Sequence, residues 1–298
     1  AQETLETVVT KWINYSIKKY NKNKNTNICL SGGVFANVKL NQKIREIKKV
    51  KNLFVQPAMG DMGIPLGSCL AQMSTDKRPF KKFVSKMSLG PSFTSQQIKI
   101  ILDKKNYKYK KINNFYELIA DLLDSSKVIG LFNGSMEFGP RALCNRSIIY
   151  HCRDRSVNDW LNKRLQRTEF MPFAPVTNIE LANKCFKKFN LNDRSSDFMT
   201  TTYNVTNKFK ISCPAATHVD GTARPQIIRK DTNPLMHKVI SHYNKTRGDL
   251  ALINTSFNNH EEPIICNVED ALLSLERKNV DVLIIENFLV HQKNSNEI

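Results

Sequence analysis

The chain has 298 residues, 41% of them apolar and 16 of them Phe, enough to bury a sizeable core as one large or two ordinary domains. Its net charge of +18 would direct attention to nucleic acid, but the excess is spread along the chain and mixed with Asn, as in Asn21-Lys22-Asn23-Lys24-Asn25, rather than clustered on one face among aromatics. Nucleic acid is therefore not an expected partner, and no apolar run is long enough to suggest a membrane span.

Leu5, Val8, Val9, Trp12, Ile13 and Ile17 recur at helical spacing and predict a helix over about 2–20. After a Lys/Asn loop, Asn27 to Leu30 reads as a short buried strand. Ser31-Gly32-Gly33-Val34-Phe35-Ala36-Asn37 follows, then a helix at about 37–47. Paired glycines between a strand and a helix start suit an anion or a nucleotide; they equally suit close packing. A second strand, Leu53 to Val55, leads into Pro57-Ala58-Met59-Gly60-Asp61-Met62-Gly63 and a helix at about 64–75. Asp61 is expected to cap that helix, with metal ligation as the alternative.

Residues 76–91 are charged and contain Pro79 and Gly90-Pro91, which predicts a linker. A helix at about 95–105, capped by Ser92 or Thr94, a strand at 107–112 and a helix at 115–125 come next. The strand Val128 to Phe132 then runs into Gly-Ser-Met-Glu-Phe-Gly-Pro-Arg-Ala-Leu-Cys-Asn-Arg-Ser, residues 134–147. Gly134 and Gly139 free the backbone and Pro140 fixes one turn. Arg141 and Arg146 present two permanent, fork-shaped cations suited to phosphate or carboxylate. The plainer alternative is a surface turn with two solvated arginines.

Ser147 to Tyr150 reads as a strand. Ser156 is placed to cap a helix carrying Val157, Trp160, Leu161 and Leu165, with Lys163, Arg164 and Arg167 on or just beyond it. Those three are either phosphate ligands or a solvated basic face. Phe170 to Val176 reads as extended and buried with proline edges, and 179–200 as helix and polar loop. His218-Val219-Asp220-Gly221-Thr222-Ala223-Arg224 is a tight Asp-Gly turn, in which Arg224 is the stronger ligand candidate than His218. A helix at 233–247 ends at Gly248, and a strand follows from Leu250 to Ile253. The hydroxyls and amides of Asn254, Ser256 and Asn258 lie just beyond it. They can hold phosphate oxygens, or only build turns. Asn267 caps a helix over Val268 to Arg277, and Val282 to Ile285 is the last predicted strand. The seven cysteines have no Cys-x-x-Cys spacing and read as reduced, mostly buried thiols of a cytoplasmic protein.

Ser31 to Asn37 with Leu40-Asn41, and then Pro57 to Gly63, resemble the last part of the actin-like (ASKHA) ATPase fold of threonylcarbamoyl transferases. More closely, they resemble the O-carbamoyltransferases of the NodU/CmcH/TobZ family. Gly134 to Ser147, Arg167 to Val176, His218 to Arg224, Asn254 to Asn258 with Glu262-Pro263-Ile264, and Val268 to Val290 resemble, in order and spacing, the YrdC-like carboxyl-terminal domain of the same enzymes. The resemblance implies an α/β chain in which residues 1–78 end a TsaD-like actin-like carbamoyl-transfer domain, 79–91 are a linker, and 92–298 form a YrdC-like domain with a twisted mixed sheet.

It further implies that Gly32, Gly33 and Asn37 approach a nucleotide. Asp61 would ligate Fe2+ or another divalent metal beside histidines and an Asp from an earlier half, and this chain has no His before His151. The YrdC-like domain would make carbamoyl adenylate from carbamoyl phosphate and ATP with Mg2+. Arg141, Arg146, Arg167 and Arg224 are the expected clamp, with Lys163, Arg164 and His218 assisting and Asn254, Ser256 and Asn258 orienting the ligand. The actin-like domain would pass the carbamoyl group to a small-molecule hydroxyl acceptor. Expected partners are these ligands and the missing first half of the actin-like domain, with a homodimer left open; the chain reads as a piece of a longer protein. Three positions depart from the family pattern: Cys144 and Glu261, where Gly is usual, and Gln166, where Lys is common. The competing readings are a basic RNA-binding module of the same fold and a split remnant that folds without turnover.

Overall fold

The computed structural model describes residues 1–79, 86–168 and 172–292. The middle of the expected linker and the first residues of the extended segment at 170–176 lie outside the described residues.

The first quarter of the chain is small and layered. The amphipathic helix α1 (Gln2–Tyr20) buries Ile13 and Ile17 and leaves its Lys-rich side in water. Strands β1 (Thr26–Leu30) and β2 (Val50–Val55) pair in parallel, joined by the crossover helix α2 (Val38–Arg45). Ile13, Ile17, Leu40, Ile44, Leu53 and Val55 close the core between them. Helix α3 (Ile64–Thr75) follows and buries none of its residues.

The remaining elements build one eight-stranded mixed sheet. In chain order they are α4 (Ser95–Lys104), β3 (Tyr109–Lys111), α5 (Phe115–Asp124), β4 (Ile129–Phe132), β5 (Arg146–His151), α6 (Val157–Arg164), β6 (Ala174–Asn178), α7 (Ala182–Cys185), β7 (Tyr203–Asn204), α8 (Asn207–Ser212), β8 (Thr222–Ala223), β9 (Gln226–Ile228), α9 (Pro234–Arg247), β10 (Leu252–Ser256), α10 (Val268–Glu276), β11 (Val282–Ile285) and β12 (Phe288–Val290). The strand order is β3-β12-β11-β4-β5-β10-β6-β9, while β7 and β8 form a separate pair. Strands β4, β5, β6 and β11 are buried along their whole length, as expected where both faces of a sheet are covered.

Register brings the sequence motifs together. Phe132 at the end of β4 pairs with Arg146 at the start of β5, and Ser147 pairs with Ser256 at the end of β10. Asn254 of β10 pairs with Ala174 at the start of β6, and Val176 pairs with Gln226 at the start of β9. The 133–145 loop, the segment before β6, the turn before β9 and the run after β10 therefore all leave the sheet at one end.

Several local expectations shift. The strand expected at 250–253 is Leu252–Ser256, so Asn254 and Ser256 lie in the strand rather than beyond it. Asp61 does not cap α3; it opens a single 3-10 turn, Asp61–Gly63, and Gly63 precedes α3 without a side-chain cap. Ser156 stands before α6, but its hydroxyl bonds Asp154 instead of the helix. The stretch at 179–200 resolves into short turns around α7. Strands β9 and β12, three residues each, lie at positions where the sequence shows no strand-length pattern. Cys144, Cys152, Cys185 and Cys213 are buried, whereas Cys29, Cys69 and Cys266 are exposed.

The two parts are stitched together. Asn41 of α2 donates to the Thr200 carbonyl, Ser195 to the Leu53 carbonyl, and Lys39 pairs with Asp220 at 2.7 Å. Among the described residues no helix is long and apolar enough to cross a membrane.

Candidate active site

The 134–147 loop is held from within by an acid. Glu137 is 5% exposed and its carboxylate accepts from the backbone N–H groups of Leu143 (2.6 Å), Asn145 (2.8 Å) and Arg146 (3.1 Å). Successive amides converging on one carboxylate form an anion nest closed on itself. Arg146 completes the base of the loop. Its guanidinium lies 3.5 Å from the centroid of the Phe132 ring and donates to the carbonyls of Asn133, Gly134, Asn145 and Pro91 at 3.1–3.2 Å. Arg146 is thus a fully buried strut and is not among the residues that line the cleft described below. Residues 86–91 run along the same loop, with Gly90 and Met136, Met136 and Pro91, and Phe138 and Met87 joined through their backbones. Gly139, at φ 122°, faces the other way: a Cβ there would stand 3.2 Å from the Pro57 carbonyl oxygen of the first part.

Above this base lies a cleft of about 270 Å3. Arg141, Arg167 and Arg224 line it, with Asn254, Ser256 and Asn258 on the same wall. Burial lowers the pKa of all three arginines, Arg167 to about 10 and Arg224 to about 9; for Arg224 repulsion from Arg141 adds to burial. A guanidinium keeps its proton at neutral pH. The downward shifts therefore express desolvation without an opposing charge. Glu261 reaches the rim of the cleft but is exposed. Among the described residues no carboxylate forms an ion pair with any of the three, while Arg164, Arg194 and Arg229 pair with Asp281 or Asp197. Arg167 donates to Thr255 at 3.0 Å and Ser256 at 3.5 Å, and Arg141 Nε is buried with no partner among the described residues. Desolvating ions without counter-charges is unfavourable even where, as here, the side chains are half-buried, and a bound anion would offset that cost.

The same cleft offers acceptors. Asn254, Asn258 and Asn259 each carry a buried side-chain oxygen with no partner among the described residues. His218 bonds Thr222 through Nδ1 at 3.1 Å, and burial, reinforced by Arg224, lowers its pKa to about 4, so it is a neutral imidazole at pH 7. It stands beside Arg224 but is not in the cleft lining.

Other expected ligands lie elsewhere. Lys163 is exposed on α6, and Arg164 is committed to Asp281 at 2.8 Å and to the Lys278 carbonyl. The Asn37 side chain caps α2 through the Leu40 amide and bonds Gln2. Gly32, at φ 116°, donates its amide to the Met59 carbonyl, and Gly33 opens a 3-10 turn with open space around it. Asp61 is exposed, and among the described residues no three His, Cys, Asp or Glu side chains group as a metal site. The described residues do not fit a divalent metal on their own.

Glu137, Gln226, Met199 and His260 were not singled out from the sequence. Glu137 lies inside the Gly134 to Ser147 motif, and His260 follows the amide-rich run after β10. Gln226 and Met199 have no local signal. The departures at Cys144, Gln166 and Glu261 have a conformational side: all three adopt left-handed backbone, with φ of 70°, 55° and 62°. That region favours glycine.

By class, this is an α/β protein with a cation-lined, anion-receptive cleft at one end of a mixed sheet. Comparison with known proteins identifies the class further. The family model described as Carbamoyltransferase C-terminus matches residues 120–292, and Carbamoyltransferase N-terminus matches residues 1–70. The chain belongs to the carbamoyltransferase family. It is similar to the uncharacterized protein MJ1051 of Methanocaldococcus jannaschii, at 38% identity over 97% of this chain and 55% of the relative. It is also similar to the nodulation protein NolO of Bradyrhizobium diazoefficiens, at 33% identity over 98% of this chain and 54% of the relative. The 3'-hydroxymethylcephem-O-carbamoyltransferase of Amycolatopsis lactamdurans is 28% identical over 86% of this chain and 47% of its own length. The chain thus spans about half the length of the relatives it matches.

Proposed function

We propose that the cleft binds carbamoyl phosphate and ATP, with ATP as its Mg2+ complex, and forms carbamoyl adenylate. The observation that carries this reading is the set of three desolvated arginines, Arg141, Arg167 and Arg224, with no counter-anion among the described residues. Two polyanions repel one another; fixed cations screen that repulsion and hold the reacting oxygen in line with the α-phosphorus. Water releases the phosphate of carbamoyl phosphate as inorganic phosphate. An oxygen of the resulting carbamate attacks the α-phosphorus of ATP, and pyrophosphate leaves. The side-chain oxygens of Asn254 and Asn258 orient the carbamoyl end, and Ser256 helps hold Arg167. Arg146 and Glu137 act indirectly, by fixing the loop that carries Arg141.

In this reading residues 92–298 are the YrdC-like adenylate-forming unit and residues 1–78 belong to an actin-like unit that passes the carbamoyl group to a hydroxyl acceptor. Asp61 would contribute one ligand to a metal completed by residues outside this chain's described set. Family membership and the relative named as an O-carbamoyltransferase support this assignment. The test is carbamoyl-phosphate-dependent exchange of pyrophosphate into ATP. Arg141→Ala and Arg224→Ala are expected to lower exchange by on the order of 100-fold or more; near-normal exchange in both variants would sink the assignment.

A further inference from the structure

The Asn254 amide has its two ends in unlike surroundings. The residue is 1% exposed. Its Nδ2 donates to the Ala142 carbonyl at 3.1 Å and to Gln226 Oε1 at 2.7 Å, and lies 3.3 Å from Cys144 Sγ. Its Oδ1 is buried with no partner among the described residues. Turning the amide over would set that oxygen against two carbonyl oxygens, so the orientation is fixed by its neighbours. Gln226, 4% exposed, is held in turn: its Oε1 also accepts from the Cys144 thiol at 3.2 Å. Burial keeps that thiol protonated, its pKa raised well above the usual value, so the donor is always present. Asn258 repeats the pattern, with Nδ2 donating to the Glu262 carbonyl at 2.7 Å and Oδ1 without a partner among the described residues.

The arginines of the cleft can only donate, and the open side-chain oxygens of Asn254 and Asn258 can only accept. A ligand that satisfies both carries an anionic group and, a few ångströms away, N–H donors. We propose that Cys144 and Gln226 set the Asn254 amide so that the cleft selects an acyl phosphate bearing an amino group over its methyl isostere. This rests on the carbamoyl phosphate reading above. Carbamoyl phosphate and acetyl phosphate have the same shape and nearly the same charge; they differ in NH2 against CH3. A methyl group leaves the Asn254 and Asn258 oxygens buried and unpaired, which is the situation in which polar sites reject analogues most strongly. Asn254 is then a ligand-contacting residue, and Gln226 a positioning residue that acts through it. Cys144, the residue that departs from the family's usual glycine, holds the first link.

The experiment is calorimetric titration of the full chain, without nucleotide, by carbamoyl phosphate, acetyl phosphate and inorganic phosphate. Omitting ATP keeps the adenine amino group from acting as the donor. The wild type should bind carbamoyl phosphate on the order of 100-fold more tightly than acetyl phosphate, with acetyl phosphate close to inorganic phosphate. Asn254→Ala should bring the carbamoyl-to-acetyl ratio to within about threefold of unity, by weakening carbamoyl phosphate and leaving acetyl phosphate nearly unchanged. Gln226→Met keeps the volume and removes the acceptor, and should lower the ratio in the same direction whatever its effect on melting temperature. It carries the test if Asn254→Ala does not fold. Equal affinity of the wild type for the two acyl phosphates overturns the inference while leaving an anion site in place. A ratio unchanged in both variants overturns it too. Failure of all three ligands to bind removes the carbamoyl phosphate reading, and the inference with it.

Discussion

Two regions a few residues apart treat arginine in opposite ways. At the base of the 134–147 loop, Arg146 is fully buried, stacked on Phe132 and bonded to four carbonyls, with Glu137 and Glu286 near enough to favour its charge. In the cleft above, Arg141, Arg167 and Arg224 are desolvated and have no acid to balance them among the described residues. The first arrangement is complete and belongs to the fold. The second has no counter-charge among the described residues, and in the proposed reading a bound anion supplies it. Desolvation of the charged group is common to both, complete at Arg146 and partial at the other three; the further difference lies in what each guanidinium donates to.

The contrast can be broken most severely by substitution in each region. Arg224→Ala should remove carbamoyl-phosphate-dependent exchange, by on the order of 100-fold or more, while the protein still folds. Arg146→Ala should do the reverse in kind. It removes one donor from each of four loop carbonyls and leaves Glu137 without a nearby cation, so unfolding in denaturant should show a loss of about 3–5 kcal/mol. Equal stability losses in the two variants would erase the distinction.

A smaller effect sharpens the cleft side. The His218 pKa is about 4 in the folded protein and 6.5 in the reference state. Between those values the unfolded chain binds more protons, so stability rises with pH through this window and falls as pH drops from 6.5 towards 4. His218→Gln should flatten that part of the stability–pH curve, measured by urea unfolding across pH 4 to 7; an unaltered slope would show that His218 is not the group that titrates. The smallest effect belongs to the first part of the chain. Asn37→Ala removes the α2 cap and should cost about 1 kcal/mol by the same measurement.

What could be read from the sequence follows from the range of the interactions. Helices α1, α5, α9 and α10 carry their own period, and Thr94, Asn267 and Gly248 mark helix ends locally. Arg141 and Arg224 were legible because Gly-Pro and Asp-Gly turns advertise exposed, shaped loops. Arg146 looked the same on paper. Its role depends on Phe132, Pro91 and a closed nest that only register brings together. Arg164 and Arg167 are three residues apart in one basic stretch, yet one meets Asp281 and the other enters the cleft. Gln226 sits in a three-residue strand with no pattern to announce it, and its partners Asn254 and Cys144 are 28 and 82 positions away.

The central claim is that the cleft holds buried cations awaiting an anion, and thermal unfolding of the wild type and Arg224→Ala, each with and without saturating carbamoyl phosphate, tests it most directly. Without ligand, Arg224→Ala should melt at or above the wild-type temperature, because an uncompensated charge has been removed. Ligand at about 100 times its dissociation constant should stabilise the wild type by roughly 2.7 kcal/mol and the variant by much less. A variant that melts well below the wild type and is raised equally by ligand would contradict the account.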